Sequence, residues 1–209
     1  MDVKLAGAQG GSSVEPENHM FVSLSTLSNT PEGIVGCVAF LVVDPRTDGQ
    51  VVAHYNKSID WEQQGRGYNF TKIQAIMQRS ALARKSVTDL TVPVQLPEAL
   101  NALARAYKEH NCVAVWATPL DLTVIRQAMQ SNKIVIPWEH TDERDVVSVW
   151  GAFMDIGIAP EVPRHESEPI HVPLGEAAYS ARLISTVYRG FRPDQTSPER
   201  ILEKSHVPG

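Results

Sequence analysis

Three stretches near the start of the chain have the apolar character and the length of β-strands. They are residues 20–27, 33–43 and 50–59. In the first stretch Ser23 and Ser25 stand two positions apart, so strand geometry points both side chains to one face and that of Leu24 to the other. Because the connections between the three stretches are short, they predict an antiparallel meander.

Helical periodicity dominates the rest of the chain. The predicted helices cover residues 69–84, 96–110, 120–129, 146–154 and 173–188, and short extended segments cover residues 112–116 and 134–137. Asn69 is a good N-cap for the first of these helices. A meander followed by helix–strand–helix units predicts an α/β fold, with a mixed sheet of antiparallel and parallel strands flanked by helices.

The two ends of the chain lack this patterning. Residues 1–18 are rich in glycine, serine, alanine and glutamate, and we predict that they form a flexible leader. Residues 190–209 are predicted to be a polar tail. One domain of ordinary size would then span residues 19–189.

Charge and cysteine usage narrow the functional classes. The chain has 19 Lys and Arg against 24 Asp and Glu, a formal net charge of −5, so no global positive field attracts nucleic acid. A local basic groove is compatible with this balance. Cys37 and Cys112 lie in apolar runs and are expected to be reduced core thiols of a cytoplasmic protein. No apolar stretch is long enough to cross a membrane.

The first strand carries a family resemblance. Ser23 and Ser25 stand where the DEDD 3′–5′ exonucleases have the two acids of Asp-x-Glu-Thr, and the second strand ends in Asp44 and Pro45, as in that family. The chain resembles the branch that contains phage exonuclease A and small bacterial exoribonuclease-like proteins. The resemblance extends over about residues 20–188 and implies a ribonuclease-H-like fold.

Two later segments are similar to the catalytic motifs of the same family. Asp121 fits the position where an Asp opens a helix after a strand and a small-residue turn. His171 matches the general-base His, and Glu176, five residues later, stands at the last catalytic Asp with one extra methylene. Gly175 replaces an acid beside it. Structural alternatives remain open. Asp121 could be a helix N-terminal residue favoured by the macrodipole, His171 an inherited loop histidine, and Glu176 a surface residue of the first helical turn.

A third segment, residues 138–145, is similar to a family stretch in which a Trp precedes an Arg-Asp pair at the start of a helix. Trp138, Arg144 and Asp145 occupy these positions. The resemblance implies a scaffold role for Asp145 rather than a metal-binding one. The alternative reading is a capped helix that follows a solvated run of charges.

The family chemistry requires metal ions. DEDD exonucleases hydrolyse a phosphodiester with two divalent ions about 3.5–4 Å apart, held by four carboxylates. The resemblance therefore implies His171 as the relic of a general base, and Asp121 and Glu176 as catalytic and metal-binding carboxylates. Ser23 and Ser25 are degenerate ligand positions, because two neutral hydroxyls supply no charge to offset the dehydration of Mg²⁺. We expect no cofactor, or Mg²⁺ or Mn²⁺ if activity is retained.

These observations predict a catalytically degenerate exonuclease-like protein. We expect a phage-encoded binding or regulatory module that acts in the host cytoplasm on a protein or nucleic-acid complex. One alternative is a weak metal-dependent 3′–5′ exonuclease that uses Asp121, His171 and Glu176. Another is a structural or assembly protein. A protein partner is expected, nucleic acid would bind weakly through residues that the sequence does not identify, and no membrane is involved.

Overall fold

The computed structural model describes residues 16–47 and 50–190, so the predicted leader and tail lie outside it except for their innermost residues. The strands are β1 His19–Thr26, β2 Val35–Val43, β3 Val51–Ser58, β4 Ala114–Ala117 and β5 Glu143–Asp145. The helices are α1 Phe70–Met77, α2 Ala81–Thr88, α3 Leu96–Glu109, α4 Pro119–Ser131, α5 Val146–Asp155 and α6 Pro173–Gly190.

The strands form one mixed sheet in the order β3-β2-β1-β4-β5. β1, β2 and β3 are antiparallel neighbours, so the predicted meander is confirmed. β4 runs parallel to β1, with Phe21 opposite Trp116, and β5 runs parallel to β4. β1 is therefore the central strand, and the residues at its carboxyl end lie where helices from several parts of the chain can reach them.

The two faces of the sheet are covered by different helices. Met20 and Val22 on β1 pack with Leu100 and Leu103 of α3 and with side chains of α4. On the opposite face, Phe21 and Trp116 pack with Ile184 of α6. All nine residues of β2 are buried because the sheet is covered on both sides. The predicted sheet flanked by helices is confirmed.

The helix predicted over residues 69–84 is interrupted. Asn69 caps α1 as expected, but α1 ends at Met77 and α2 begins only at Ala81. The Ser80 side chain accepts a 3.2 Å hydrogen bond from the Ala83 N–H, so Ser80 is the N-cap of a new helix. The prediction of one continuous helix is wrong, because this cap starts a second helix inside the periodic run.

The last strand, β5, was not predicted from the sequence. Residues 134–137 form no strand, whereas the polar segment β5 pairs with β4, with Glu143 opposite Val115. The Glu143 carboxylate accepts hydrogen bonds from Arg126 at 2.5 Å and from the Trp138 indole at 2.9 Å. A charged strand is stable here because its buried carboxylate has partners, which strand periodicity does not reveal.

The structure also bears on the predictions for the two cysteines and for membrane-spanning segments. Cys37 and Cys112 are buried and unpaired, as predicted, and burial raises the pKa of each thiol to about 12. None of the helices within residues 16–47 and 50–190 has the length and hydrophobicity that a membrane span needs.

Candidate functional site

The carboxyl-terminal half of β1 places two serines on one face of the sheet. Ser23 is 8% exposed and Ser25 is 5% exposed. Leu24, between them, points to the other face and packs against the core under α3 and α4. The alternation predicted from the sequence therefore holds, and both hydroxyls reach the same cavity.

Asp121 lies in the first turn of α4 and is only 8% exposed. The Thr118 side chain caps this helix and accepts a 3.2 Å hydrogen bond from the Asp121 N–H. Burial raises the pKa of the Asp121 carboxyl to about 7. Hydrogen bonds from the Thr118 hydroxyl and the Leu24 N–H and the positive charge of Lys72 lower the pKa, while the negative charge of Glu176 raises it.

His171 lies two residues before the start of α6. Its φ of 64° is the left-handed conformation, which non-glycine residues adopt rarely. The side chain is exposed at the edge of the cavity. Partial burial lowers the pKa of the imidazole, and the positive charge of Arg79 lowers it further. The neutral imidazole is therefore favoured near neutral pH.

Glu176, in the first turn of α6, uses both carboxylate oxygens within the protein. Oε1 accepts a 2.6 Å hydrogen bond from the backbone N–H of His171. Oε2 accepts a 2.5 Å hydrogen bond from the guanidinium of Arg164, which also forms an ion pair with it. Glu176 therefore joins the loop before α6 to the helix.

Gly175 is enforced by a close approach of the chain. A Cβ at this position would lie 2.7 Å from the Pro169 carbonyl oxygen, 2.7 Å from Pro169 Cδ and 2.8 Å from Pro169 N. Real Cβ atoms do not approach backbone atoms so closely. The acid that the resemblance places beside Glu176 has no space here unless the loop moves.

One cavity of about 240 Å³ brings the predicted site residues together. Its lining includes all five of them: Ser23, Ser25, Asp121, His171 and Glu176. These residues come from β1, α4, α6 and the loop before α6, and they are separated by up to about 150 positions in the chain. The fold therefore brings together the residues that the resemblance singled out, whereas the chemical role of each residue stays a prediction.

The sequence prediction missed three basic residues. Lys72 of α1 and Arg79, between α1 and α2, line the cavity, and Arg164 contacts Glu176. Burial lowers the pKa of Lys72, and the neighbouring charge of Arg79 lowers it further, so the two cations lie close to each other. The N-capping signal at Ser80 was the available clue, because Arg79 lies in the break between α1 and α2 that this cap creates.

The donors present do not fit the family's two-ion cage. Among the residues that the structure describes, no three His, Cys, Asp or Glu side chains form a group that could hold a metal ion. Ser23 and Ser25 contribute no charge, and Glu176 has both oxygens engaged. Mg²⁺ needs hard, charged oxygen ligands in a nearly ideal octahedron, which Asp121 alone does not provide.

The third predicted motif lies outside the cavity lining. Asp145 is the N-cap of α5 and accepts a 2.9 Å hydrogen bond from the Val147 N–H and another hydrogen bond from the Ser148 hydroxyl. Arg144 donates to the Thr141 carbonyl. These contacts favour the capped-helix and scaffold interpretations of Asp145.

Comparison with protein families gives one match over nearly all of the described chain. A family model for the 3′-5′ exoribonuclease Rv2179c-like domain matches residues 18–188. The chain belongs to this family. The exonuclease relationship inferred from the sequence is thereby confirmed, and a comparison with curated proteins gives no match.

Two solved structures are similar to the exoribonuclease-like domain. Pop2p of S. pombe, in its Mg²⁺- and Mn²⁺-bound form, is 13% identical with a TM-score of 0.55, over 88% of this chain and 87% of Pop2p. Cell-death related nuclease 4 (CRN-4) is 11% identical with a TM-score of 0.54, over 82% of this chain and 64% of its own. At such identities the likeness concerns the fold, which is the predicted ribonuclease-H-like one.

Proposed function

We propose that this member of the exoribonuclease family binds the end of a single-stranded nucleic acid without hydrolysing it. The observation that carries the proposal is the pair Ser23 and Ser25, two neutral residues at the base of the cavity where the family resemblance places an Asp and a Glu. A cavity with these donors cannot offset the charge of two divalent ions.

The basic side chains of the cavity support nucleic-acid binding. Lys72 and Arg79 line it as cations and His171 adds a neutral imidazole, so the cavity has a local positive charge although the whole chain has a net charge of −5. Attraction to phosphates that depends on a few cations is weak and decreases steeply with salt. We expect dissociation constants weaker than about 10⁻⁷ M at physiological salt, near the non-specific range.

The rival function is metal-dependent exonucleolytic hydrolysis by Asp121, Glu176 and His171. For Glu176 to bind a metal ion, an oxygen would have to leave Arg164 or the His171 N–H. That rearrangement costs charge-assisted hydrogen bonds, which are the stronger class in proteins. A protein that binds nucleic-acid ends and leaves them intact suits a regulatory function. We propose that it acts in the cytoplasm.

A single-stranded RNA with a 5′ fluorophore and a free 3′ hydroxyl separates the two functions. The protein is incubated with it in Mg²⁺, in Mn²⁺ and in EDTA, and the products are resolved on a denaturing gel while anisotropy measures binding. We expect intact RNA in all three conditions and binding that persists in EDTA. A ladder that starts at the 3′ end, requires Mn²⁺ and is lost in Asp121→Asn would establish the exonuclease instead.

A further inference from the structure

The base of the cavity has two hydrogen-bond donors without partners. The hydroxyls of Ser23 and Ser25 belong to side chains that are more than nine-tenths buried and line the cavity. Neither hydroxyl forms a hydrogen bond with another residue in the described part of the chain. Because both residues line the cavity and their hydroxyls have no partner in the protein, the hydroxyls can donate to a ligand or a water molecule bound there.

The wall of the cavity has two cations without a counter-ion in contact. The side chains of Lys72 and Arg79 make no ion pair or hydrogen bond within residues 16–47 and 50–190. They are close enough for the charge of Arg79 to lower the pKa of Lys72, after the larger effect of burial. Two like charges held together on a cavity wall are favourable when an anion lies between them.

The acids of the same cavity do not neutralise these cations by contact. Glu176 gives its two oxygens to Arg164 and to the His171 N–H. Asp121 lies deeper and accepts from the Thr118 hydroxyl and the Leu24 N–H. The carboxylates are thus engaged by partners other than Lys72 and Arg79, and the two cations keep no contacting counter-ion in the described part of the chain.

From this geometry we infer that the cavity binds a phosphate monoester directly, through Lys72, Arg79 and the hydroxyls of Ser23 and Ser25, without a divalent ion. A phosphate monoester carries a charge near −2 at neutral pH, which equals the charge of the two cations, whereas an internal phosphodiester carries −1. The cavity volume of about 240 Å³ is far more than a water molecule needs. The serines therefore contribute donors to an anion where the family's acids would contribute charge to a metal ion.

Two sources share this chemistry: the phosphorylated end of a nucleic acid and free inorganic phosphate. The first source rests on the proposed function, because it requires that a nucleic-acid end enters the cavity uncut. Binding of free inorganic phosphate does not depend on the proposed function. A test must therefore use both probes in the absence of divalent ions.

The nucleic-acid arm compares two 5′-fluorescein RNA strands of equal sequence, one with a 3′ phosphate and one with a 3′ hydroxyl, by anisotropy in EDTA. We expect the phosphorylated strand to bind at least about tenfold tighter. Lys72→Gln and Arg79→Gln should each remove most of that preference. Lys85→Gln, an exposed lysine on the neighbouring helix α2, is the matched control and should leave the preference within twofold.

The free-phosphate arm measures heat on titration of inorganic phosphate into the same proteins. Saturable binding of inorganic phosphate that is lost in Lys72→Gln supports the phosphate site. If the two RNA strands nevertheless bind equally, the result identifies the free anion as the ligand of the site. The site is refuted if the 3′ phosphate gives no preference and inorganic phosphate gives no saturable heat. Persistent RNA binding alongside that negative result would leave the proposed function standing, whereas RNA cleavage would refute that function and not the phosphate site.

Discussion

The backbone N–H of His171 donates a 2.6 Å hydrogen bond to Oε1 of Glu176, five residues further along the chain. This contact holds a left-handed residue, with φ of 64°, at the entrance of α6. Arg164 occupies the other oxygen of the same carboxylate. The residue that the family resemblance assigns to a metal therefore maintains the shape of the loop that carries the candidate general base.

Replacing Glu176 with alanine should reduce stability for this reason. The change leaves the His171 N–H and the Arg164 guanidinium without their acceptor, and lost hydrogen bonds to a charged group cost about 1.5–3 kcal/mol. We expect a decrease of that size in the free energy of unfolding by urea. Glu166→Ala, an exposed glutamate of the same loop, should change it by less than about 0.5 kcal/mol. Equal losses in the two variants would contradict the anchoring role.

Gly151 of α5 and Gly175 of α6 should respond in opposite directions to replacement by alanine. Gly175→Ala forces a Cβ to within 2.8 Å of Pro169 atoms, and overpacking of this kind costs about 1–3 kcal/mol. Gly151→Ala, in α5, adds a Cβ that meets no atom within 4 Å and should stabilise the helix by about 0.5–1 kcal/mol. Thermal unfolding of both variants measures the contrast. A neutral Gly175→Ala would mean that the Pro169 loop can move aside.

The sequence was most informative where local pattern and tertiary environment agree. Alternation along β1 was sufficient to place Ser23 and Ser25 on one face, and short connections were sufficient for the meander. The family resemblance added Asp121, His171 and Glu176, which the fold then brings to one cavity. Their common location could not be derived from periodicity, because it depends on the order of strands in the sheet.

The sequence was least informative where a long-range partner decides the structure. β5 consists of three charged residues and has no strand-like pattern of apolar positions. Its stability depends on hydrogen bonds from Arg126 and Trp138 to Glu143. Arg79 lies in the break that the Ser80 cap creates between two helices. A single capping residue is a weak signal, and the continuous helical periodicity of residues 69–84 obscures it. The engagement of Glu176 by Arg164 depends on the path of a proline-rich loop.

The buried carboxyl of Asp121 should make stability depend on pH. Its folded pKa of about 7 lies above the unfolded value of about 3.9. Between these values the folded state holds a proton that the unfolded state has lost, so stability decreases as pH rises from about 4 to 7, and the whole cost is present above pH 7. Asp121→Asn should remove this slope and stabilise the protein at pH 8 by about 1–4 kcal/mol.

Urea unfolding of Asp121→Asn and of the parent at several pH values between 4 and 8 measures that difference. Asp155→Asn, at the exposed end of α5, is the control, because it also removes one carboxylate. The pH-dependent difference should be present for Asp121→Asn and absent for the control. If the stabilities of Asp121→Asn and the parent depend on pH in the same way, the Asp121 carboxyl has an ordinary pKa in the folded protein.

The double variant Ser23→Asp with Ser25→Glu tests whether the backbone of the cavity still has the geometry of a metal cage. Glu176 stays unchanged because it holds the loop before α6. The new carboxylates would lie beside Asp121 in a buried site, so mutual repulsion and burial should lower the melting temperature without metal. Mn²⁺ should then raise it, because a ligand that binds only the folded state stabilises it by about 2.7 kcal/mol at 100 times its dissociation constant.

For a chain of this length, that stabilisation corresponds to a rise of about 5–10 °C in Mn²⁺. The parent should show no such rise. Ser23→Asn with Ser25→Gln is the matched control, since it adds similar volume without charge and should not respond to Mn²⁺. We expect hydrolysis to remain low even in the responsive variant, because catalytic groups must be held to within about 0.5 Å by their surroundings and Glu176 is committed to Arg164. If Mn²⁺ leaves the melting temperature of the double variant unchanged, the cavity keeps the family's position in the fold without the geometry of its metal site.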